Sequence, residues 1–157
     1  MIAEPVPAAL PHRAYAGLVT RLAALGIDIS LVALAAAGTR LLPPAIWREV
    51  IDRSPPDWLT TASGAVAVAL PWLYFTGSWW LANQTVGDLI VGIAVVRPDG
   101  GELSLIHAAI RAAIGLLLAP LWMVGMVAIL WDDKRRAWHD KIFRTEVRYA
   151  TRAQRSP

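Results

Sequence analysis

The sequence contains no cysteine, which excludes disulfides, thiolate metal sites, cysteine nucleophiles and palmitoylation. Charge is scarce: 17% of residues are charged, against about 25% in a soluble domain. Phe and Tyr are few, 2 and 3, whereas Trp numbers 8. Trp favours membrane–water interfaces, where its ring is apolar and its N–H needs a partner. No phosphate-cradling glycine loop is present, since Gly87 and Gly92 fit neither of the known spacings. No internal repeat and no low-complexity segment is found. What is abundant is apolar surface. The hydrophobic fraction is 56% and the mean hydropathy +0.46. That excludes a disordered chain and argues against a compact cytosolic enzyme. A length of 157 residues makes one domain.

Three hydrophobic runs carry this surface. The first extends from near Leu18 to near Leu42 and includes Arg21 and Asp28. The second, about Leu59 to Leu81, lies in a stretch from Trp58 to Gly87 with no charge. The third is the 20 uncharged residues between Arg111 and Asp132. About twenty apolar residues span a bilayer core as a helix, and in lipid the backbone must satisfy its own hydrogen bonds. The predicted class is therefore an all-α membrane protein. Arg13, Arg21 and the Ala35–Ala37 triplet resemble a signal peptide. Asp28, however, falls inside the short apolar core that export requires, so the run reads as a retained helix. Between the first two runs, IWREVID at 46–52 has the pattern of a short amphipathic surface piece. LIVGIAVV at 89–96 is β-rich, and the following RPDGGE is a turn signal, giving a short β-like cytoplasmic loop.

Basic residues set the expected topology. Lys134, Arg135, Arg136, Lys141, Arg144, Arg148, Arg152 and Arg155 crowd the C-terminal region, and Arg13 and Arg21 mark the N-terminus. Both ends are expected in the cytoplasm, with the cation-poor segment 43–57 outside. A third straight crossing would put the basic tail outside. Pro120, near the middle of the third run, suggests instead a kinked, re-entrant segment; a straight span is the alternative. The expected organisation is a tail at 1–14, a membrane domain at 15–149 and a tail at 150–157. The pI near 9.8 points to an anionic lipid surface rather than nucleic acid. Lys134, Arg135, Arg136 and Lys141 are the candidate headgroup ligands, at about 1 kcal/mol each near the surface.

Two polar residues lie on one face of the first helix. Arg21 and Asp28 are seven residues apart, about 10.5 Å along the axis. Arg21 can snorkel to the interface. Asp28 is too deep to do so and must be neutral, hydrated or paired. It is either an ion, proton or substrate ligand or a bundle-facing structural residue, with His107 and Arg111 as candidate partners. His139–Asp140 lacks any Ser or Cys companion for a catalytic dyad, and His12, His107 and His139 have no metal-ligand spacing. No enzyme active site, metal or cofactor is expected.

The order of these residues carries a resemblance. An Arg opens the first helix and an Asp follows seven residues on. Then come Asn83-Gln84-Thr85-Val86-Gly87, a Pro-Asp-Gly-Gly turn, an Arg opening the third run and a basic stretch ending His139-Asp140-Lys141. From about Tyr15 to about Val147 this resembles the RDD family of small bacterial membrane proteins, named for one Arg and two Asp. Arg21, Asp28 and Asp140 would be the matching residues, with Asp132 a weaker claimant to the second Asp. Where the family shows a Gly-x-Thr-x-Gly-Lys-like stretch, this chain has Asn83 for the first Gly and Asp88 for the cation. The resemblance implies a multi-pass protein of the bacterial cytoplasmic membrane without a settled activity. Two roles stay open. One is an accessory or assembly subunit of a larger membrane complex. The other is a small oligomeric transporter or cation/proton antiporter using Asp28. Expected partners are anionic lipids and other membrane subunits or further copies of the chain. The matched residues further predict a direct Arg21–Asp140 contact, with Asp28 turned toward the third run.

Overall fold

A computed structural model describes residues 15–99 and 101–150. The expected tails at 1–14 and 150–157, Ala150 apart, lie outside these residues. So do Arg13, His12, Arg152 and Arg155.

Helix α1, Leu18–Ile51, is 34 residues long, and α2, Asp57–Ala82, has 26. At 1.5 Å per residue they measure about 51 and about 39 Å, each more than the ~30 Å hydrocarbon core. Both are long and apolar enough to cross a membrane. The exposed Trp58 and Trp80 stand about 33 Å apart along α2, which matches the spacing of two interfacial aromatic belts. The first helix is longer than its hydrophobic run predicts. It continues through Pro43 and Pro44 and takes up IWREVID as its last turns, so no separate surface piece forms. Each proline removes one donor from the helical ladder. Trp47, packed edge-on against Trp58 at 6.4 Å between centroids, holds these turns to the start of α2. The helix ends at Asp52 in a left-handed conformation, its N–H bonded to the Arg48 carbonyl.

Beyond α2 the chain folds into short elements. Helix α3 is Val86–Val91 and strand β1 is Ile93–Val96. The β-rich stretch is thus a strand only in its second half. Thr85 and Asp88 form a capping box that starts α3, and Gly92 at φ 76° stops it, so local capping overrides β propensity. Strand β2, Glu146–Tyr149, pairs antiparallel with β1, setting Ile93 opposite Tyr149 and Val96 opposite Glu146. Tyr15 adds a bridge to Arg148. The two ends of the described chain therefore meet.

The third hydrophobic run is helix α4, Leu105–Leu117, followed by α5, Ala119–Met126, and a 3-10 turn, Val127–Leu130. The two halves are bent by 98° at Leu118. Pro120 lies in the first turn of α5, where a missing N–H costs nothing. The break thus falls just before the proline, as its chemistry requires. A last short helix, α6, is Trp138–Ile142. The buried core gathers around Ala16, Ala24, Ile93, Val95, Leu103 and Val147, with Met126, Ile129 and Ala137 alongside. It lies at the end of the bundle where α1 begins and α2 finishes. The outer faces of α1 and α2 keep large apolar side chains exposed, among them Leu34, Leu41, Val68 and Leu81.

Candidate functional site

Two buried polar clusters occupy this end of the bundle. The first centres on Asp140, which is fully buried. Arg21, one turn into α1, donates Nη1–H to Asp140 Oδ2. Arg111 of α4 donates Nη2–H to Oδ1 at 3.0 Å. The Ala137 N–H, at the start of α6, reaches Oδ2 at 3.1 Å, and the Thr145 hydroxyl lies 3.3 Å from Oδ1. Asp140 thus caps α6 while pairing with two arginines. Arg21 also donates Nε–H to the Ala16 carbonyl at 3.3 Å and Nη2–H to the Arg135 carbonyl. Arg111 donates Nη1–H to Thr145 Oγ1 at 2.7 Å and lies between the rings of Trp79 and Trp122, at 5.0 and 5.5 Å. Burial pushes the Asp140 carboxyl up, but Arg21 and Arg111 outweigh it and hold the group well below the usual carboxylate range. His139 stacks on Trp122 at 4.0 Å. Burial drives its imidazole down to about 3 against the pull of Asp140, with Arg111 and Arg21 adding to the fall. It is neutral at physiological pH.

The second cluster centres on Asp28. It corrects the expected partners: neither His107 nor Arg111 bonds this carboxylate, although it lines a cavity with Arg111, Trp122 and Met126 of the third run. Instead the Tyr74 hydroxyl of α2 donates to Oδ1 at 2.6 Å, the Thr85 hydroxyl to Oδ2 at 2.6 Å and the Gly87 N–H to Oδ1 at 2.7 Å. Arg111 is instead engaged by Asp140. His107 packs its ring against Phe143 at 5.9 Å. Three uncharged donors satisfy Asp28 where a cation was expected, which suits a carboxylate in a low-dielectric setting. The Thr85 N–H also bonds Asp88 Oδ2 at 3.1 Å, completing the α3 capping box.

The two departures from the family-like stretch have structural reasons. Asn83 ends α2 at φ 55°, the left-handed conformation that Gly adopts freely and Asn tolerates best. Its side-chain oxygen takes the Leu103 N–H at 3.0 Å and its carbonyl the Val95 N–H at 2.7 Å. Asp88 serves as the acidic partner of the capping box, a role a cation cannot fill. Burial, followed by the nearby Asp28, pushes its carboxyl up to about 6 against the Thr85 hydrogen bonds.

The four candidate headgroup ligands prove to have internal partners. Asp132 takes Lys141 at 2.8 Å and Arg136 at 3.1 Å. Lys134 reaches the buried Glu146 at 3.2 Å, and Arg135 donates to the Tyr15 carbonyl at 3.3 Å. Asp132 is therefore the hub of a surface network. Burial opposes its ionisation, yet Arg136 and Lys141 hold its carboxyl far below the usual range. Neutralising Arg135 and Arg136 together is accordingly expected to leave the preference for anionic vesicles unchanged in a low-salt flotation assay. A salt-sensitive loss of binding would restore the headgroup assignment.

Tyr74, Thr85, Gly87, Thr145 and Glu146 carry these clusters and are not evident from the charge pattern. Only the Thr85-x-x-Asp88 capping signature is legible in advance. Among the described residues, no group of three or more His, Asp or Glu is arranged to hold a metal ion.

Apolar helices of membrane-spanning length, gathered at one end by buried charges that neutralise one another, define an integral membrane protein with a polar knot. The sequence model of the RDD family matches residues 15–144, and the chain belongs to that family. No curated protein and no solved structure matches the sequence.

Proposed function

We propose that this chain is a non-enzymatic accessory or assembly subunit of a larger complex in the bacterial cytoplasmic membrane. One observation supports this most: the buried carboxylates that a transport site would use are taken up by internal partners. Asp28 takes three donors and Asp140 two arginines, while the outer faces of α1 and α2 stay largely uncovered. Two long helices and one bent pair are thin for a closed pathway, and uncovered apolar faces suit neighbouring helices or lipid. In this reading the chain is multi-pass. Its N-terminus and basic C-terminal region are cytoplasmic, and the 98° bend turns the third run back. Anionic lipids surround it.

Extraction in a mild detergent, followed by light scattering, tests the proposal. The expected particle is far heavier than a small homo-oligomer of the 17.0 kDa chain and contains other membrane proteins in fixed ratio. A homogeneous homo-oligomer that carries sodium, potassium or proton flux in vesicles would overturn it. That result would favour the second reading, a transporter, for which the proximity of Asp28 and Asp88 is the supporting observation. Asp28→Asn separates the two. Lost yield of the protein accords with architecture; intact protein with lost flux accords with transport.

A further inference from the structure

Between the Asp28 and Asp140 clusters lies a cavity of about 80 Å³, lined among others by Asp28, Thr85, Asp88, Arg111, Trp122 and His139. Among the described residues, three side chains at this cavity have polar atoms without a protein partner: Arg111 Nε, His139 Nδ1 and Nε1 of the half-buried Trp79. Arg111 is 3% exposed and His139 6%. Asp88 is also buried, and its carboxyl accepts one hydrogen bond, from the Thr85 N–H. It has no ion pair among the described residues. An orphaned N–H in such a setting is costly, so the cavity needs an occupant that accepts from Arg111 and can also satisfy a carboxyl and a neutral imidazole. An apolar occupant leaves all three unmet. A cation meets the positive guanidinium of Arg111 and an Asp28 whose oxygens already take three donors. Water both donates and accepts, and the volume admits several molecules.

We propose that this cavity is a hydrated proton-binding site, in which waters join the Asp88 carboxyl to Arg111 Nε and His139 Nδ1, and Asp88 takes up the proton. The charged and titratable groups around it come from four elements. They are Arg21 and Asp28 of α1, Tyr74 of α2, Arg111 of α4, and His139 and Asp140 of α6. Asp140 is held ionised by Arg21 and Arg111. His139 is too desolvated to accept a proton above about pH 3. Asp88, raised to about 6, titrates near neutrality.

The folded state then binds a proton at Asp88 more tightly than the unfolded chain between about pH 4 and about 6. Stability from this group is lost as pH rises through that window. His139 works the other way. Its folded value lies below the unfolded one, so its contribution is lost as pH falls from about 6.5 toward 3. The two slopes oppose each other across the same window. Wild-type thermal stability should therefore vary little between pH 4 and 6, and Asp88→Asn should convert this plateau into stability that rises with pH.

Infrared difference spectroscopy of the full chain in lipid nanodiscs, titrated from pH 8 to 5, tests the site directly. One protonated-carboxyl band should appear with a midpoint near 6, and Asp88→Asn should lack it. No new carboxyl band over that range, or one that persists in the variant, would overturn the proposal. On the wild-type protein alone, the ¹⁵N resonance of Arg111 Nε should exchange with solvent and shift with the same midpoint. A resonance indifferent to the titration would overturn the water bridge.

Discussion

Replacing Asp140 with alanine is expected to abolish stable folding. The side chain is fully buried and pairs with both Arg21 and Arg111 while capping α6. Removing one member of a buried ion pair typically costs about 3–5 kcal/mol, because the other charge is left uncompensated. Here two guanidiniums are stranded, so the loss should reach or exceed the upper part of that range. The check is the yield of monodisperse protein from membranes and its unfolding in mixed micelles. Asp132→Asn, in the more exposed network, is expected to cost no more than about 1 kcal/mol. Acid should mimic the Asp140 loss only late. The folded carboxyl lies below its unfolded value, so its contribution is intact above about pH 4 and is lost as pH falls further. The sharing of Asp140 also bears on charge exchange. Arg21→Asp combined with Asp140→Arg would restore a simple pair. In this knot the new Arg faces Arg111, so the double exchange is expected to recover nothing.

The second large effect is expected at Gly87. A Cβ there would lie 2.1 Å from the Ala24 carbonyl oxygen of α1 and 2.8 Å from Asp28 Oδ2. The carbonyl belongs to helix backbone and cannot swing aside. Gly87→Ala must push α3 away from α1 and stretch the Gly87 N–H bond to Asp28. The expected destabilisation is about 3 kcal/mol or more, from overpacking together with a weakened buried hydrogen bond. Ala24→Gly should not relieve it, since the obstruction is main chain. Thermal unfolding of both variants in the same detergent provides the comparison.

Charge and hydropathy made some of this arrangement legible. The second run, from Trp58, marks α2 to within a residue, and Pro120 marks the bend of the third. The Arg21–Asp140 contact joins residues 119 positions apart, and it was readable only because the two stand in a recognisable family order. Asp28 was harder. A buried carboxylate suggests a cation, and nothing in the sequence says that a tyrosine, a threonine and a glycine N–H from two other elements will converge on it. The same expectation placed Arg111 with Asp28, when the cap of α6 gives Asp140 the stronger claim on it. The extent of α1 was hidden by Pro43 and Pro44, which locally argue for a break. The contact that outweighs them, Trp47 on Trp58, is tertiary. The basic residues 134–141 read as a lipid-facing cluster because Asp132 and Glu146 flank them at a distance that only the folded chain brings into contact.

The polar knot as architecture makes one claim above the others: Arg21 and Asp140 act as a coupled pair that fastens the chain's end to its first helix. A double-mutant cycle measures this directly, with Arg21→Gln, Asp140→Asn and both together, followed by unfolding in mixed micelles. The predicted coupling energy is about 2 kcal/mol or more, within the range for residues in one buried network. Costs that add to within about 0.5 kcal/mol would show the two side chains to be energetically independent and would contradict the account.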